Sequence, residues 1–265
     1  YHDKQHSMDM TLALARLING HERCVRKEDR LGPERAVVAV ITALYHDSGY
    51  IRHEQDHHHF NGAEYTAVHV SRSADFLKRY LHKIGLGEYA QVSANMVHYT
   101  GYELAPNRIR LPDDRWHMIG HMLGTADLIA QMSDRCYLEK CRDRLYPEFV
   151  LGGLAASIDE DGNETIIYES GEDLLSKTPA FYANEVETRL NVLFQKAYEY
   201  EIAHFDGERH YINGLGKNQH YIKKVLAAND FSMLKRRPPQ NYGTRNFPGL
   251  EAWFDQHPVS KLKRG

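Results

Sequence analysis

Along the first 150 residues, apolar positions recur at steps of three and four, the spacing of one face of an α-helix. Met10, Leu12, Leu14, Leu17 and Ile18 predict a helix from His6 to about Ile18, with Asn19-Gly20 as its stop. Pro33 stands at a natural first helical position, and Val37, Val38, Ile41 and Leu44-Tyr45 follow it. That second helix runs into His46-Asp47 and breaks at Ser48-Gly49. After a polar, His-rich loop from Arg52 to Asn61, the residues Ala67, Val70, Ala74, Leu77 and Leu81 predict a helix from Gly62 to Ile84, capped by Gly85. Further helices are expected over Tyr89–Tyr99 and, as one long run, over Arg115–Arg144.

Beyond Gly152-Gly153 the texture changes. Ser157-Ile158 and Thr165-Ile166-Ile167-Tyr168 flank the polar stretch Asp159–Asn163 and predict a small β-hairpin or an exposed excursion. Helices over Pro179–His204 and Gln219–Ala228 follow. The stretch from Arg236 to Gly265 mixes proline, glycine and basic residues and reads as a wrapping or partly disordered arm. The expected fold is all-α: a helical domain over residues 1–150 and a helical C-terminal extension over 151–265 packed on the same core. No internal repeat is visible.

Composition narrows the class. With 265 residues, 42% of them hydrophobic and 26% charged, the chain can bury a real core. Its 33 basic and 36 acidic residues give a formal net charge of -3, which argues against a nucleic-acid partner. The segment Lys217–Lys224, with His220 and Tyr221 interleaved, fits a solvated helix face. Asp134–Arg144 reads as a charge-laced continuation of the preceding helix, with Arg135 and Arg142 placed to rim a pocket. No apolar run approaches the roughly 18 residues of a membrane span, and the first twenty residues lack a secretory signal's layout. Cys24, Cys136 and Cys141 make no disulfide framework, which suits a reducing, cytoplasmic setting. Tyr1 rather than Met opens the sequence, so an upstream segment is expected.

Histidine changes the picture. The 17 histidines are several times the usual complement, and imidazole is the commonest side-chain ligand for transition metals. Placement matters more than number. His6, His46, Asp47 and Asp127 all stand where apolar-patterned helices hide their most buried faces. Asp127 lies within Leu123-Gly124-Thr125-Ala126-Asp127-Leu128-Ile129, where a lone carboxylate would cost several kcal/mol to bury. A divalent cation shared with the two histidines removes that cost, and the mixed nitrogen and oxygen set suits Mn, Fe, Mg, Co, Ni or Zn alike.

The opening Tyr1-His2-Asp3-Lys4-Gln5-His6-Ser7-Met8-Asp9-Met10 resembles the Tyr-His-Asn-x-x-His-x-x-Asp-Val signature of class I cyclic-nucleotide phosphodiesterases. Those enzymes belong to the HD superfamily of metal-dependent phosphohydrolases. The superfamily's order of His, a later His-Asp and a distant Asp is matched by His6, His46-Asp47 and Asp127. This resemblance covers the N-terminal half and implies an HD-type helical bundle. It implies that His6, His46, Asp47 and Asp127 bind a first metal, that Asp47 bridges to a second, and that His2 is the general acid. A hydroxide between the metals would attack phosphorus. Asp3 replaces the signature's Asn, Tyr50 stands where the phosphodiesterases carry a further His, and no purine-selecting Gln is identifiable.

His58-His59-Phe60-Asn61-Gly62-Ala63-Glu64 is similar to the His-Pro-x-x-Gly stretch of HD-GYP phosphodiesterases in its His to Gly spacing. By that likeness His58 (or His59) and His98 are candidate ligands of the second metal, and Glu64 is a candidate base or water holder. The function expected is hydrolysis of a phosphodiester in a small nucleotide-like substrate. A nucleoside monophosphate phosphomonoesterase and a metal-bound nucleotide-sensing domain are the alternatives. Apolar faces on the C-terminal helices would allow a homodimer.

Overall fold

The computed structural model describes residues 1–159 and 163–239. It is mostly helical, with one two-stranded hairpin. Helix α1 (Lys4–Cys24) starts at an Asp3 cap, whose carboxylate accepts the His6 amide N–H at 2.9 Å. The replacement of the signature's Asn by Asp thus leaves a strong helix cap in place. Met10, Ala13, Leu14 and Leu17 are fully buried, each large side chain contributing about 2 kcal/mol of hydrophobic stabilisation.

Helix α1 does not stop at Asn19-Gly20. A Cβ on Gly20 would lie 1.8 Å from the Tyr200 carbonyl oxygen, so this glycine marks a close crossing of two backbones rather than a helix end. Helix α2 (Pro33–Leu44) begins at Pro33 as expected, and a tight turn at Ser48–Tyr50 follows His46-Asp47. The helix expected from Gly62 divides into a single turn, Gly62–Tyr65, and α3 (His69–Lys83). A short α4 (Ala90–Met96) continues as a tighter turn to Thr100.

Helix α5 (Asp114–Met132) is buried on almost every side from Ile119 to Ala130, the mark of a central helix. It packs against α1, α2 and α4. It ends at Met132 rather than running on to Arg144. The Asn218 side-chain amide donates to the Met132 and Asp134 carbonyls at 2.9 and 2.7 Å, and this outside partner takes up carbonyls the helix end leaves free. After α6 (Tyr137–Lys140), a wide turn at Cys141–Leu145 leads into α7 (Tyr146–Leu151).

The hairpin forms between β1 (Ala156–Ile158) and β2 (Glu164–Ile166), antiparallel, with Ala156 opposite Ile166. The expected turn residues 160–162 lie outside the described residues, as does 240–265 of the expected C-terminal arm. The helix expected over Pro179–His204 is instead broken. Helix α8 (Gly171–Phe181) passes into wide turns, Gln195 and Lys196 adopt positive φ of 51° and 58°, and a short α9 (Tyr200–His204) follows. Helix α10 (His210–Ala228) is longer than its apolar spacing suggests and docks on α5 and α8. One apolar cluster takes residues from Met10 through Leu234. Among the described residues, no helix is long and apolar enough to cross a membrane.

Candidate metal centre

Three elements bring the expected quartet together. His6 sits in the first turn of α1, His46-Asp47 just past the end of α2, and Asp127 in the buried stretch of α5. His46 Nε2 lies 3.3 Å from His6 Nε2 and 3.1 Å from Asp47 Oδ2. His6 Nε2 is 3.4 Å from Asp47 Oδ2 and 3.2 Å from Asp127 Oδ1, and His46 Nε2 is 3.8 Å from the same Asp127 oxygen. Ligand atoms about 2.1 Å from a common centre stand roughly 3.0–3.4 Å apart, so most of these spacings are those of one coordination shell. His6, His46 and Asp47 form a buried group that could hold a metal ion.

The tautomers agree. His46 Nδ1–H donates to the Ala43 carbonyl at 2.8 Å, which leaves Nε2 as the nitrogen directed at the cluster. Two ring nitrogens 3.3 Å apart need a cation or a proton between them. Asp47 Oδ2 is buried and has no hydrogen-bond partner, as a metal-bound oxygen atom would be before its ion arrives. Burial alone would push the His46 pKa down, but the charges of Asp47 and Asp127 outweigh it and raise it to about 9. Against the same burial, the imidazoles hold Asp47 well below the usual carboxylate range and lower Asp127 too. This is a field built for positive charge.

Sequence reasoning missed His69, Glu148 and the role of Tyr50. His69 opens α3. Its Nδ1–H donates to the Thr66 carbonyl at 2.7 Å, and its Nε2 stands 3.7 Å from Asp47 Oδ1. Asp47 therefore faces the His6–His46 pair with one oxygen and His69 with the other. Burial lowers the His69 pKa, which favours the neutral form a ligand needs. The Tyr50 ring is sandwiched between His69 (4.3 Å between centroids, 23° between planes) and His2 (4.7 Å, 14°).

His2 lies just before the Asp3 cap, with its ring 5.6 Å from that of His6. Its Nδ1 is 2.5 Å from Glu148 Oε1, and its main-chain N–H donates to Glu148 Oε2 at 3.2 Å. Burial lowers the His2 pKa, but Glu148 and then Asp47 raise it by more. Glu148 comes from α7, in Tyr146-Pro147-Glu148-Phe149-Val150. A carboxylate inside an apolar run was the signal available for it, the same signal that marks Asp127.

The other candidates lie elsewhere. His58 is exposed on the loop, where its main-chain N–H donates to Asp56 at 2.9 Å. The neighbouring His59 pairs its Nδ1 with the Asp56 carboxylate at 2.9 Å. Glu64 accepts the Phe60 and Asn61 main-chain N–H groups at 2.9 and 3.0 Å, completing a capping box around Gly62–Tyr65. His98 is half-buried with its Nδ1 unpartnered, and burial lowers its pKa. Among the described residues, no hydrogen bond, ion pair or ring contact joins His58, Glu64 or His98 to the cluster. No protein-family model, curated protein or solved structure matches this chain.

Proposed function

We propose that this protein is a metal-dependent phosphohydrolase of the HD type, cleaving a phosphodiester bond in a small nucleotide-like substrate. The observation that carries the reading is the buried group of His6, His46 and Asp47, with Asp127 beside it at 3.2 Å from His6 Nε2, in the chain order of the HD pattern. His6, His46 and Asp47, with Asp127 beside them, would hold a first divalent ion, and Asp47 and His69 would be the residues available to a second. A divalent cation there lowers the pKa of a bound water and neutralises phosphate oxygens.

The chain supplies the rest. A diester leaves as an alkoxide or phenoxide, which needs a proton, and His2 is the donor poised beside the cluster. Glu148 fixes the His2 ring through Nδ1 and favours its charged form. Tyr50, stacked on His2 and His69, limits the tilt of both rings and walls water out of one side.

The test uses metal-analysed protein with bis-p-nitrophenyl phosphate and p-nitrophenyl phosphate, adding Mn, Mg, Fe(II), Co, Ni and Zn in turn, with Asp47→Ala as control. Diester turnover that disappears in the control is the expected result. Turnover of the monoester alone would move the assignment to a phosphomonoesterase. Bound metal without turnover of either ester would favour the nucleotide-sensing domain, and protein that binds no metal would remove the basis of the reading.

A further inference from the structure

A basic groove lies beside the candidate metal centre. The exposed face of α1 that carries Gln5, Asp9, Leu12 and Arg16 meets the end of α5, α6 and the chain from Arg236 to Pro239 around a groove of about 680 Å³. That volume suits a small organic ligand. Arg16, Arg135, Lys140, Arg236 and Arg237 line it, against only two carboxylates, Asp9 and Asp134. Asp134 is taken by an ion pair with Lys140. This concentration of positive charge stands on a chain whose net charge is -3.

Arg23, Arg26, Arg35, Arg142 and Arg144 each pair with a carboxylate. Arg16, Arg135, Arg236 and Arg237 have no acidic partner among the described residues. Lack of an acidic partner is shared with other arginines, Arg52, Arg72 and Arg189 among them, and the groove is set apart by four such groups in one place. Two of them are nevertheless held in place. Arg16 donates to the Tyr211 hydroxyl at 2.8 Å and lies over the Phe205 and Tyr211 rings. Arg236 donates to the Arg135 carbonyl and lies against the Tyr221 ring. Each of these guanidiniums is held through Nη1 and keeps its remaining N–H groups for an anion, and phosphate matches guanidinium in shape and charge. Residues 240–265 carry Arg245, Lys261, Lys263 and Arg264 against Glu251 and Asp255, so this segment's charge does not complement the groove.

We propose that this groove binds an oligophosphate group of two or more linked phosphates. A small pocket bordering His6 shares Asp9, Ala130, Asp134 and Lys140 with the groove, so its ligand would sit next to the metal centre without requiring it. The probe is inorganic tripolyphosphate, titrated calorimetrically into the full chain in EDTA. Saturable binding that weakens with salt is expected. Arg135→Gln and Arg237→Gln, both at exposed positions, should each weaken binding about tenfold, as the loss of one charge-assisted contact would. Asp127→Asn should leave it intact. Absence of saturable binding, or affinity unchanged in the Arg135→Gln/Arg237→Gln double variant, would overturn the proposal. Binding in a protein that hydrolyses neither ester would uphold this site while the phosphohydrolase reading fails. Hydrolysis without tripolyphosphate binding would do the reverse.

Discussion

Gly49 presses on the main chain of His69 so closely that a Cβ built on it would lie 1.9 Å from the His69 carbonyl oxygen. The contact is secured from both sides: the Gly49 N–H donates to Ser73 Oγ at 2.8 Å, and Arg72 Nε donates to the Gly49 carbonyl at 2.7 Å. This junction sets the turn after His46-Asp47 against the start of α3. It therefore sets where His69 stands relative to Asp47.

A methyl group at Gly49 must push those backbones apart. Gly49→Ala should lose about 1–3 kcal/mol in urea denaturation, the range for overpacking a buried contact. Gly216, inside α10 with no atom within 4 Å of its built Cβ, is the control. There Gly→Ala should stabilise by about 0.5–1 kcal/mol through helix propensity alone. Equal effects at the two positions would contradict the close-packing account.

Metal should act on stability as well as on chemistry. An ion bound only by the folded chain adds about 2.7 kcal/mol at a hundredfold excess over its dissociation constant. Manganese or zinc added to the stripped protein should therefore raise its melting temperature. The rise should vanish in Asp47→Asn, which loses the unpartnered buried oxygen. A wild-type melting temperature indifferent to every divalent ion tried would count directly against the centre.

How much of this site could be read from residues alone depends on contrast. His6, His46-Asp47 and Asp127 stand out because each interrupts a run of apolar residues that packs into one core. His69 gives no such contrast: it opens a helix whose first turn is polar, His69-Val70-Ser71-Arg72, and only the Gly49 junction brings it to Asp47. Glu148 reaches His2 across 146 positions of sequence, a distance no local pattern spans. The same limit explains the helices. Pro33 acts within one turn and marks its helix start. The break at Gln195-Lys196 carries neither Gly nor Pro, and the apolar spacing runs straight through it.

His121 makes a separate prediction about acid. Its ring is 9% exposed, lies near the rings of Tyr99 and Phe194, and has an unpartnered Nδ1. Burial, with His117 adding to it, lowers its pKa to about 4. Between the unfolded value near 6.5 and 4, the unfolded chain takes up a proton that the folded chain refuses. Stability should therefore fall as pH drops through that window, by on the order of 2 kcal/mol once partial exposure is allowed for. His121→Phe should flatten this part of the stability curve measured by denaturation from pH 7 to 4. A curve as steep in the variant as in the wild type would assign the acid sensitivity to other groups.

Glu148 bears on catalysis through pH. The proposed general acid must carry its proton when the leaving oxygen departs, so activity falls as pH rises past the pKa of His2. Glu148 is the larger of the two charges that raise that pKa, and it does so against the burial that would lower it. Replacing it by Gln removes the charge, keeps the shape and leaves a side-chain amide beside Nδ1. The basic limb of the diesterase profile should then move to lower pH in Glu148→Gln, while metal content stays at the wild-type level because no atom of Glu148 is among the ligands. A substrate with a good leaving group needs little help from an acid. The loss at neutral pH should accordingly be larger for bis-p-methylphenyl phosphate than for bis-p-nitrophenyl phosphate. Equal loss on both substrates, with no movement of the limb, would reduce Glu148 to a purely structural partner of the chain's first residues.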